Sequence, residues 1–133
     1  MTKAKGINTL YQVVVEIPYQ ALNEVKKTIS YNRIKGFEIQ DMDNIGENGK
    51  KALSFEIKIK MLNKEIMDEK EEWKKVREGA MHHIHKKMGA KIGSKFQLQM
   101  LHALIDEKVQ FYFNFKRIDQ EIPKDFKTLQ YSD

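Results

Sequence analysis

KFQLQMLHALIDEKVQFYFNFK, residues 95–116, is the stretch whose reading decides the fold. With a two-residue period, Phe96, Leu98, Met100, His102 and Leu104 share one face of a first strand. Val109, Phe111, Phe113 and Phe115 share one face of a second. A tight turn at Asp106-Glu107 pairs Leu104 with Val109, His102 with Phe111, Met100 with Phe113 and Leu98 with Phe115. Pattern and register agree, so the segment predicts a C-terminal hairpin. Gln99, Leu101, Gln110, Tyr112 and Asn114 fall on its opposite face, and His102 falls on its apolar one.

Upstream, LSFEIKIKM (residues 53–61) alternates Leu53, Phe55, Ile57, Ile59 and Met61 with Ser54, Glu56, Lys58 and Lys60. That is a strand with one face in the core. TLYQVVVEI (9–17) reads as another, with Val13, Val15 and Ile17 on one side and Val14 on the other. Pro18 stops it, because proline has no N–H for the ladder. Leu22, Val25 and Ile29 recur at helical spacing within residues 19–31. A strand follows at about 37–43, and DNIGENGK (43–50) has the composition of a hairpin loop.

A long helix then carries Ile66, Trp73, Val76, Ala80, Ile84 and Met88 along one stripe. Asn63 suits its N-cap. Acidic residues crowd its start and Lys86 and Lys87 its end, which complements the helix dipole. Gly89 and Gly93 are expected to end it. The acidic run 68–72 reads as a solvated helix surface with Glu71 paired to Lys75.

The element order is therefore β-α-β-β-α-β-β. It predicts an α+β fold in the ferredoxin-like β-α-β-β-α-β order, with two helices on one face of an antiparallel sheet and an extra C-terminal hairpin strand. Residues 1–133 read as one domain, with 1–8 and 128–133 as loose ends; Ile122, Phe126 and Leu129 are able to dock.

Lys and Arg number 24 against 19 Asp and Glu, a formal net charge of +5. Only three of these, Arg33, Arg77 and Arg117, are arginines. A lysine-rich positive surface favours contact with nucleic-acid backbone over base readout. There is no cysteine, which excludes thiolate metal sites, disulfides and cysteine nucleophiles. No apolar run reaches membrane-span length and the first residues lack a secretory h-region, so the expectation is a cytoplasmic protein.

MHHIHKKMGAKIGSK (81–95) holds the local motifs. On a helix, His82 and His85 lie three apart and are the weak candidates for a metal pair, whereas His83 and His85 diverge by about 200°. Zinc needs further ligands and no H-E-x-x-H pattern supplies them, so no metal or cofactor is assigned. GAKIGSK has the wrong spacing and order for a phosphate loop of the G-x-x-x-x-G-K-[ST] kind. KVQFYFNFK lacks the small residues of the RNA-recognition motif. What remains is lysine: Lys86, Lys87, Lys91 and Lys95 within ten residues and no acid among them.

The resulting expectation is a non-enzymatic binding protein that contacts nucleic-acid backbone through Lys86, Lys87, Lys91 and Lys95. Lys58, Lys60 and Tyr112 on a free sheet face add to that surface. The alternative is a protein-interaction or homo-oligomeric assembly domain using that sheet face. A histidine-dependent enzyme or metal-binding protein is the third reading.

Overall fold

The computed structural model describes residues 7–42, 50–61 and 68–118. Four strands form one antiparallel sheet: β1 (Ile7–Glu16), β2 (Phe37–Asp41), β3 (Lys51–Met61) and β4 (Phe113–Arg117). Their spatial order is β2-β3-β1-β4. The helices are α1 (Leu22–Asn32), α2 (Glu69–Met88) and α3 (Ala90–Ile105), and a 3-10 turn at Tyr19–Ala21 leads into α1. The architecture is α+β, and it fits the ferredoxin-like expectation only loosely.

The alternation seen in the sequence sets the sheet. Val13 lies opposite Phe55 on one side and Phe115 on the other, and Phe55 lies opposite Phe37. That row crosses all four strands and faces the core, and each of its members is buried. The alternate residues of β3, Glu56 and Lys58, stay exposed on the other face. β1 begins at Ile7, two residues before its expected start. The expected loop 43–50 lies outside the described residues except Lys50, whose carbonyl accepts from the Met42 N–H.

Two expectations fail at the C-terminal side. Residues 95–105 are not a strand: they belong to the 16-residue α3. Only Ile105 among them is β-branched, while Lys, Gln, Leu, Met and Ala all favour helix. Ile92, Phe96, Met100 and Ala103 are the buried face, at helical spacing. The sheet thus has four strands, with two successive helices where one helix and a strand were expected. His102, expected beside Phe111 on an apolar face, is exposed on α3.

The second correction concerns glycine. Gly89, at φ 98°, ends α2 as expected, in a conformation that L side chains rarely adopt. Gly93 ends nothing. It is buried inside α3, where a Cβ would stand 2.5 Å from the His85 ring.

α2 packs against β4 near its start and against β2 and β3 near its end. Near its start Trp73 meets Phe113 edge-on, with centroids 6.1 Å apart. Gly79 lets Ile57 and Ile59 approach the helix backbone. Near its end the His83 ring stacks on Phe55 and tilts against Phe37, each at 5.4 Å. The N-cap is Asp68, whose carboxylate accepts from the Glu71 N–H at 2.8 Å. Asn63, the expected cap, and Ile66 lie outside the described residues.

Candidate functional site

The surface built by α2 and α3 gathers most of the chemistry. A cleft of about 440 Å³ opens between the two helices. Arg77, Glu78, His82 and His85 contribute to its α2 wall. These fall within successive turns, and Arg77, Met81 and His85 form one row at four-residue spacing. From α3 come Gln97, Met100 and Leu101. The cleft is therefore apolar at Met81, Met100 and Leu101 and polar elsewhere.

His85 is fixed by α3. Its ring rests on Gly93, and its Nε2–H donates to Gln97 Oε1 at 3.0 Å. Gly93 and Gln97 are one turn apart, so the pair forms a seat for the imidazole. His82 is exposed. His83 faces the sheet instead of the cleft. Its imidazole is held below the ordinary histidine range, first by burial and then by the charges of Lys87, Lys86 and neighbouring His82. Helical phase thus scatters the three histidines, although His82 and His85 share the cleft wall. Among the described residues no three His, Asp or Glu side chains are gathered closely enough to hold a metal ion.

Arg77 is the unusual member of the wall. Its guanidinium carbon sits 5.3 Å from the Trp73 ring centroid. Its Nε is buried and has no hydrogen-bond partner among the described residues.

The lysines divide. Lys86 and Lys87 stand exposed in the last turn of α2. Lys91 and Lys95 lie one turn apart at the start of α3. Both pair with Glu24 of α1, Lys91 at 3.3 Å and Lys95 closer. The Glu24 carboxyl is consequently held below the usual carboxylate range, foremost by the Lys95 hydrogen bond and, against a burial penalty, by Lys91. Lys58 and Lys60 are exposed on the opposite layer, on the sheet face turned away from the core. Tyr112 precedes β4, half-buried, and its hydroxyl accepts from Asn114 Nδ2. The helix-end lysines and the sheet-face lysines therefore do not form one continuous surface.

Besides the cleft, sequence reasoning missed two features. Glu72 is not on a solvated surface: it is 1% exposed. Its Oε2 accepts from Tyr11 Oη and from Arg117 Nε, each at 2.6 Å, tying α2 to β1 and β4. Burial first, and then the Glu72 hydrogen bond, push the Tyr11 hydroxyl above its ordinary pKa. The second missed feature is an apolar ridge on the outer side of α3. Leu98, Leu101 and Ile105 remain 55%, 48% and 74% exposed. At about 100° per residue they lie together, opposite the buried Phe96–Met100–Ala103 face.

Comparison of the chain with protein-family models, with curated proteins and with solved structures gives no match. No described helix is long and apolar enough to cross a membrane.

Proposed function

We propose that this protein is an assembly domain that pairs with a second copy of itself through the outer face of α3. The observation that carries this is the exposed ridge of Leu98, Leu101 and Ile105. A helix with apolar side chains on both its faces is expected to be covered on both. The occupant follows from charge. Residues 96–105 contain no charged side chain, so two chains of net charge +5 can meet there without direct repulsion. An antiparallel two-fold pairing brings Lys91 and Lys95 of one copy toward Asp106 and Glu107 of the other. This moves the expected interface from the sheet to α3. In support, Ala52, Ser54 and Asn114 of the outer sheet face are buried, and Glu38, Gln40 and Glu56 of that face are exposed charged or polar groups.

The ridge is smaller than the ~800 Å² per partner of a standard interface, so the pairing is weak. Sedimentation velocity from about 10 µM to about 1 mM should show mass rising toward a dimer. Leu98→Glu with Ile105→Glu should remain monomeric throughout. A wild-type chain that stays monomeric, or a double variant that associates like wild type, overturns the reading.

A second reading, contact with nucleic-acid backbone, is favoured by Lys86 and Lys87, which are exposed beside a run with no acid between Glu78 and Asp106. Glu24 partly neutralises Lys91 and Lys95, so we assign the main contacts to Lys86 and Lys87. Binding of a single-stranded oligonucleotide should weaken steeply with salt and fall in Lys86→Glu/Lys87→Glu. Equal binding by that variant removes this reading.

A further inference from the structure

We infer that the α2–α3 cleft is a binding site for a small organic carboxylate, with Arg77 as its anchor. Each chain carries the whole cleft, which shares only Leu101 with the ridge proposed to pair. Its volume of about 440 Å³ lies in the range of small-molecule sites. A buried donor without an acceptor is costly, and native proteins keep few of them. The Arg77 Nε–H is such a donor, on a side chain that lines the cleft. The Trp73 ring holds a cation–π contact to the guanidinium, which restrains the planar fork. A carboxylate matches that fork in two parallel hydrogen bonds.

The rest of the wall selects among anions. Met81, Met100 and Leu101 offer an apolar surface, with methionines that adapt to an irregular outline. A fully hydrated inorganic ion gains nothing from them, whereas the body of an aromatic or aliphatic acid does. Gln97 Oε1 is already occupied by the His85 Nε2–H, so its amide group is left to donate. Glu78 is the one carboxylate of the wall. It is adjacent to Arg77 in sequence, and neighbours of that spacing do not face each other on a helix. Its charge disfavours ligands carrying a second negative group, which argues for a monoanion.

The test uses benzoate, with benzyl alcohol as the neutral analogue and inorganic phosphate as the bare anion. Heteronuclear NMR of the full chain follows the Arg77 Nε–H resonance and the Gln97 side-chain amide. Benzoate should move both saturably in the millimolar range, and binding should weaken about tenfold or more in Arg77→Lys. That variant keeps the charge and loses the fork; its thermal melt establishes that it folds. Benzyl alcohol should bind at least about tenfold more weakly than benzoate. No saturable benzoate shift, equal binding by Arg77→Lys, or phosphate binding as tightly as benzoate each overturns the inference.

Discussion

Replacing Glu72 by Gln tests the most deeply buried charge of the described structure. The side chain is 1% exposed, and its Oε2 accepts from Tyr11 Oη and Arg117 Nε at 2.6 Å each. The Arg117 side chain is itself only 11% exposed. Gln has the same shape but no charge. Arg117 is then held in the protein beside a neutral amide, and breaking a buried pair in this way costs about 3–5 kcal/mol. Losing charge-assisted hydrogen bonds worth about 1.5–3 kcal/mol is consistent with the lower part of that range. Taking ~4 kcal/mol, and an unfolding entropy of about 2.1 cal/mol/K per residue over the 133 residues, the melting temperature falls by about 10–15 °C. Circular dichroism during thermal and urea unfolding measures it. A triple variant, Tyr11→Phe/Glu72→Met/Arg117→Met, removes these three polar side chains together and fills their space with apolar atoms. It should recover most of the loss, because the desolvation of both ions disappears with the ions. Glu72→Gln within about 1 kcal/mol of wild type, or a triple variant less stable than Glu72→Gln, would refute this account of the cluster.

Three further outcomes follow from single contacts. The unfolded His83 takes a proton near pH 6.5, whereas its folded imidazole, half-buried against Phe55 and Phe37, resists it. The stability this contributes is complete above that pH and is lost as pH falls below it. His83→Phe should therefore flatten the decline in urea midpoint between pH 7 and pH 5; an unchanged slope refutes the burial of a neutral ring. Gly93→Ala gains about 0.5–1 kcal/mol in helix propensity but drives the His85 ring off its seat. Stability should stay within about 1 kcal/mol of wild type, while the NMR signature of a His85 Nε2–H bonded to Gln97 disappears; its persistence refutes the seat. Asp68→Ala should cost about 1 kcal/mol through loss of the α2 cap, with Asp68→Asn restoring most of it in the same unfolding assay.

The strands that alternate cleanly were legible in the sequence. In β3, Leu53, Phe55 and Ile57 are buried and Glu56 and Lys58 exposed, because a half-buried strand leaves a period-two record in its residues. The buried row Val76, Ala80, Ile84 and Met88 of α2 was legible for the same reason at the period of a helix. Glu72 was not. It lies four residues before Val76, on the same row, and an acid at a core-facing position reads as a solvated one until Tyr11 and Arg117 are known to meet it across 61 and 45 residues. Arg77 and the cleft were hidden by the same dependence on tertiary structure. Their partners Gln97 and Leu101 point the right way only if α3 is a helix.

The misreading of residues 95–105 and the proposed interface have one cause. A helix that buries one face shows apolar residues at Phe96, Met100 and Ala103 and polar ones between. Had Leu98 been polar, the three-to-four-residue period of Phe96, Met100 and Ala103 would have stood out against the alternation. Leu98 instead falls between Phe96 and Met100, and that completes an apparent alternation. Leu98, which completed the imitation of a strand, is one of the apolar residues that α3 leaves in solvent. Local propensity already favoured helix over most of the segment, so these apolar side chains are not needed to form α3. Nor are they needed to hold it, since Ile92, Phe96 and Met100 fill the core without them. An apolar surface that serves neither the helix nor the core exposes the chain to aggregation unless something covers it. Its selection is most simply explained by a partner, and the charge-free length of that face is what allows the partner to be another copy of the same chain.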